Sequence, residues 1–137
     1  MAAPRQILVE ACVDSLASAT AALSGGALRL ELCAGLVEGG LTPSAGMVAI
    51  VRERVPAALH VLIRPRGGDF CYDQDEVRVM LADIALALRL GADGVVVGAL
   101  HTDGSGDEDV TKRMIEAARP MAGTFHRAFD LTRDAVE

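Results

Sequence analysis

Two tripeptides carry the chemistry most worth explaining in this chain: Glu10-Ala11-Cys12 and Glu31-Leu32-Cys33, each closing a short apolar run. Side chains alternate along a strand, so each glutamate shares a face with its own cysteine. On neighbouring parallel strands the two thiols and two carboxylates would meet at one end of a sheet. Thiolates are soft donors, and paired carboxylates serve proton transfer. Further polar residues fall at what read as strand ends: Arg64, then His126 and Arg127, with Asp130 just beyond. Alternation sets His60 and Arg64 on one face, and puts His126 opposite Arg127, so that one of that pair is expected to point outward. Glu10 or Glu31 is expected to find Arg64 across the interior, because a buried carboxylate is costly without a partner. Two readings follow, a structural ion-pair layer and a polar pocket.

The loops offer a second chemistry. Arg64-Pro65-Arg66-Gly67-Gly68-Asp69 joins two guanidinium groups to a glycine pair, a combination suited to a carboxylate or phosphate. The same arginines would equally serve a rigid turn tied to acidic neighbours. Glu38-Gly39-Gly40 reads as a loop with the makings of a flap, Cys71 as a small apolar residue, and His101 as solvated surface.

These groups need a scaffold, and strand-like and helix-like segments take turns along the chain, the pattern of a parallel sheet built from βα units. Strands are predicted over Ile7 to Cys12, Arg29 to Cys33, Leu59 to Arg64, Gly94 to Ala99 and Gly123 to Arg127. Asp14 or Ser15 caps a first helix, Leu16 to Ser24, ahead of Gly25-Gly26. Thr42-Pro43 reads as an N-cap and first helical residue, with Pro56 as the stop. Asp73 and Glu76 form a capping-box pattern before the longest helix, which Gly91 closes. A fourth helix runs from Asp109 to Arg119, and a fifth begins near Asp134.

The fold class predicted is α/β, of the (β/α)8 barrel type, here a truncated barrel of about five parallel strands forming one domain over residues 1–137. A small doubly wound sheet is the alternative, and it lacks the Gly-x-Gly-x-x-Gly turn of a dinucleotide site.

With a formal net charge of −6 and a single lysine, the chain is a poor general partner for nucleic acid or an anionic membrane. No apolar run is long enough to span a bilayer, and Met1-Ala2-Ala3-Pro4-Arg5 lacks a leader's apolar core. Three cysteines at irregular spacing fit free thiols in the cytoplasm.

Several segments together resemble the CutC copper homeostasis family: Glu10-Ala11-Cys12-Val13-Asp14-Ser15, Glu31-Leu32-Cys33, Glu38-Gly39-Gly40-Leu41-Thr42-Pro43-Ser44, Ile63-Arg64-Pro65-Arg66-Gly67-Gly68-Asp69-Phe70, Gly98-Ala99-Leu100 and Thr124-Phe125-His126-Arg127-Ala128-Phe129-Asp130. The resemblance implies a (β/α)8 barrel whose three remaining strands are absent here, so that the chain is expected to be its N-terminal portion. It also implies cytosolic copper handling, with Cys12 and Cys33 as Cu(I) ligands, copper as the cargo, and association between copies as an open possibility. The chain departs from the family at Leu28, where Asp is common, and at Ala34, where Ser is common. An alternative function is a barrel enzyme acting on a small anionic substrate. There Arg64 or Arg66 would hold the anion, and Glu10, Glu31 or His126 would move the proton.

Overall fold

The structure, a computed structural model, describes residues 7–136; the segment Met1 to Arg5 read above lies outside the described residues. Five strands and four α-helices alternate: β1 (Glu10–Val13), α1 (Leu16–Ser24), β2 (Arg29–Leu32), α2 (Ala45–Arg54), β3 (Ala58–Leu62), α3 (Gln74–Arg89), β4 (Gly94–Val97), α4 (Glu108–Ala118) and β5 (Ala122–Phe125). Two 3-10 turns, Leu36–Glu38 and Arg127–Leu131, follow β2 and β5. All four pairings are parallel, and the strands stand side by side in the order of the sequence. A doubly wound sheet reverses its strand order at a switch point. None occurs here, so the sheet is of the barrel type.

The helices cover one face. Leu30, Leu32, Leu59, Val61, Ile63, Val95 and Val97 point toward them and pack with Val48, Val51, Met80, Ile84 and Met114, all essentially inaccessible to water. The alternate residues, Glu10, Cys12, Glu31, His60, Val96 and His126 among them, belong to the opposite, inner face. The sequence pattern thus separates a packing face from a chemical one.

Helix starts follow from local hydrogen bonding. Ser15 caps α1, accepting from the Ser18 N–H, and Asp73 with Glu76 makes the reciprocal box on α3. The start of α2 differs from expectation: Ser44 is the cap, accepting from Met47 N–H at 3.1 Å. Thr42 is diverted, because its Oγ1 accepts from the Arg64 N–H at 2.8 Å and ties this loop to the end of β3. The predicted fifth helix near Asp134 is absent among the described residues; the turn from Arg127 to Leu131 takes the chain away from β5 instead. Among the described residues, no helix is long and apolar enough to cross a membrane.

Candidate functional site

The register between β1 and β2 pairs Glu10 with Arg29 and Cys12 with Glu31. The two Glu-x-Cys tripeptides are therefore offset by two residues rather than level. Because the side-chain period is two, that offset keeps all four groups on one face. Cys33, one residue beyond β2, reaches across to Cys12, and the two sulfurs stand 3.6 Å apart. Both are free thiols, one exposed and one buried. Cys33 packs with Leu62 and Val96, which make a dry wall behind its sulfur.

Burial, and then nearby charge, make both thiols reluctant acids. Cys33 is pushed up to about 12, first by burial and then by its hydrogen bond and charge interaction with Cys12. Cys12 is raised too, chiefly by burial, with Glu31, Glu10 and Asp14 adding to it and the Cys33 hydrogen bond opposing. The hydrogen bond between the two thiols lowers Cys12 and raises Cys33, so Cys12 is the one that ionises first.

The carboxylates below are internally satisfied. Glu10 forms an ion pair with Arg29, its register partner, which explains why it does not seek Arg64. Burial raises the Glu31 carboxyl above the usual range, and the neighbouring Glu10 adds to the rise.

Arg64 corrects the expected pairing. It is buried, and its guanidinium donates to the carbonyls of Glu38, Gly40 and Gly68 rather than to a carboxylate. Arg66 takes the turn-forming role, paired with Glu76 and Asp69 and donating to the Cys71 carbonyl at 2.7 Å.

His126 lies across the sheet from the glutamates. Its ring covers Gly98, where a Cβ would come within 2.5 Å of Cε1, and it packs on Phe70 at 5.0 Å between centroids. Burial, with the charges of Arg64 and Arg127, lowers it to about 4. Neither glutamate is among the charges acting on it. Glu10 and Glu31 are brought together, then, and His126 is not brought to them.

Arg127 was expected to oppose His126. The strand ends at Phe125, His126 caps the following 3-10 turn, and alternation stops there. Arg127 accordingly swings to the mouth of the sheet, where its Nη1 approaches Gly39.

A parallel α/β sheet of barrel order, with paired thiols where the first two strands end, defines the class. The CutC family model matches residues 7–137, and the chain belongs to that family. It is 54% identical over 134 residues to a family protein CutC of Bacteroides fragilis, covering 97% of this chain and 53% of that one. It is 53% identical over 129 residues to the mouse copper homeostasis protein cutC homolog, covering 94% and 47%. The chain thus spans about half the length of the curated relatives it matches. The crystal structure of a protein named CutC from Streptococcus agalactiae superposes with a TM-score of 0.87 at 34% identity, over 93% of this chain and 62% of that one.

Proposed function

We propose that this chain is the N-terminal portion of a CutC-like barrel and that it holds Cu(I) between Cys12 and Cys33 in the cytoplasm. The observation that carries this reading is the 3.6 Å separation of the two sulfurs on adjacent strands. Metal–thiolate bonds of ~2.3 Å put two sulfurs sharing an ion between ~3.8 Å apart at a tetrahedral angle and ~4.6 Å apart in line, so the thiols would open by about 1 Å at most. Among the described residues no group of three or more His, Cys, Asp or Glu side chains converges as a ligand set. Two sulfurs alone suit Cu(I), which accepts few soft donors, better than zinc, whose structural sites take four. The relatives named for copper homeostasis support copper as the metal.

The two ligands have different roles. Cys33 is fully buried and held against Leu62 and Val96, whereas Cys12 is exposed. Copper would enter and leave on the Cys12 side while Cys33 anchors it. Free thiols at this spacing also fit a reducing compartment.

Titration of the reduced chain with Cu(I) against a competing chelator tests the assignment. Cys12→Ser and Cys33→Ser are each expected to weaken binding at least 100-fold. Unchanged affinity in both variants rejects the thiol site.

A further inference from the structure

A second cluster, at the ends of β3 and β5, has no role in holding copper. Arg64 is 5% exposed, and the three carbonyls it donates to fix its fork in one orientation. Its Nε is buried and has no hydrogen-bond partner among the described residues. Arg127, from the 3-10 turn after β5, is exposed and makes no ion pair among the described residues.

The two guanidinium groups converge on one place. A first side-chain carbon at residue 39 would lie 2.8 Å from Arg127 Nη1 and 3.4 Å from Arg64 Nη1. Gly39 adopts φ +84°, where glycine is favoured, and its lack of a side chain lets both guanidinium groups pack against its α-carbon. Like charges this close repel unless an anion sits with them. The neighbouring partners of Arg64 are neutral carbonyls, and Glu38 contributes its main-chain oxygen there, its carboxylate lying over Gly67.

His126 adds a donor rather than a third charge. Its Nδ1 accepts from the Ala128 N–H, which leaves the hydrogen of the neutral ring on Nε2, a buried atom without a partner. Arg64, Phe70 and His126 pack together, with the Arg64 guanidinium carbon 4.9 Å from the Phe70 centroid.

We propose that Arg64 and Arg127, facing each other across Gly39, form a receptor for a small oxyanion, a carboxylate or a phosphate, at the mouth of the sheet. Arg64 is the fixed anchor, and Arg127 is the arm that closes on the ligand. Arg64 Nη1 already gives its hydrogens to the Glu38 and Gly40 carbonyls, so Arg64 supplies fixed positive charge and the Arg127 fork supplies the paired hydrogen bonds that match either oxyanion type. The receptor is distinct from the thiol pair yet adjacent to it: Gly40, whose carbonyl holds Arg64, lies against the Cys33 side chain. With the whole chain at −6, affinity for an anion has to be local.

The test uses the metal-free, reduced chain at fixed ionic strength, titrated separately with inorganic phosphate and with malonate. Calorimetry gives the affinity, and amide chemical shifts give the location. Saturable one-to-one binding of at least one probe is expected, with shifts centred on Gly39, Gly40, Arg64 and Arg127; the stronger probe identifies the oxyanion class. Arg127→Gln should weaken it at least tenfold, the loss of one charge-assisted contact. Lys112→Gln removes the same charge from α4, on the other side of the sheet, and should change affinity less than twofold. Absence of saturable binding for both probes, or equal losses in the two variants, overturns the proposal. Copper is not needed at any step, so that failure would leave the thiol site standing.

Discussion

A thiol must lose its proton before it can hold Cu(I), and both sulfurs here resist that loss. Burial is the main cause at each; Cys33 is raised to about 12, while at Cys12 the hydrogen bond between the thiols opposes the rise. Between pH 6 and 8 both are therefore protonated in the metal-free protein, and each bound ion displaces two protons. Apparent affinity should tighten as pH rises, by roughly 100-fold per unit if both protons leave. Competition titrations at pH 6, 7 and 8 measure this directly. A tenfold slope would leave one thiol as ligand, and no slope would take sulfur out of the site. The thiol pair was legible in the sequence because alternation is local arithmetic. The role of Arg127 was not. Reading β5 through to Arg127 extended the alternation past Phe125, where the strand stops. The signal was there in His126, whose ring nitrogen caps the turn that follows.

At the scale of elements, what could be read was whatever depends on near neighbours in the chain. The box on α3 is of this kind: Glu76 N–H donates to Asp73 Oδ1 at 2.8 Å, and Asp73 N–H to Glu76 Oε2 at 2.9 Å. The start of α2 is of the other kind, since Thr42 and Ser44 are both competent caps. The choice falls to Ser44 because the Arg64 N–H, distant in sequence, requires the Thr42 oxygen. Glu76 reaches beyond its helix as well, pairing with Arg66 and so fixing the loop after β3 to the start of α3. Its carboxyl is held below the usual range, first by that Arg66 hydrogen bond. Asp73→Ala should remove one half of the box and cost ~1 kcal/mol of stability. Urea unfolding would show it as a lower midpoint at unchanged slope. A midpoint within error of the parent would mean that α3 is held by Val77, Met80, Ile84 and Ala87 in the core, with its cap redundant.

For the molecule as a whole, the parallel βα order was legible because each strand and helix carries its own periodicity, and the burial of β3 and β4 on both faces agrees with it. The register was not, since a two-residue offset leaves every side chain on the same face and so leaves no trace in the pattern. The remaining property is exposure. Every residue of β5 is exposed, and Ile7, Leu8 and Val9 are exposed ahead of β1 at the opposite edge. A groove of about 910 Å³ beside β5 is lined in part by Ile115, Phe125 and Phe129. Unpaired strand edges next to apolar surface are templates for pairing between chains. The 137-residue chain on its own should therefore associate, and sedimentation velocity between roughly 5 and 200 μM should show the weight-average mass rising with concentration. Thr124→Lys places a charge on the exposed edge strand and should shift the distribution toward monomer, as lysine does on natural edges. A monomer at every concentration would mean that the β5 edge is protected by its own twist and neighbouring turn. Association undiminished by Thr124→Lys would move the contact away from that edge, to the apolar residues before β1.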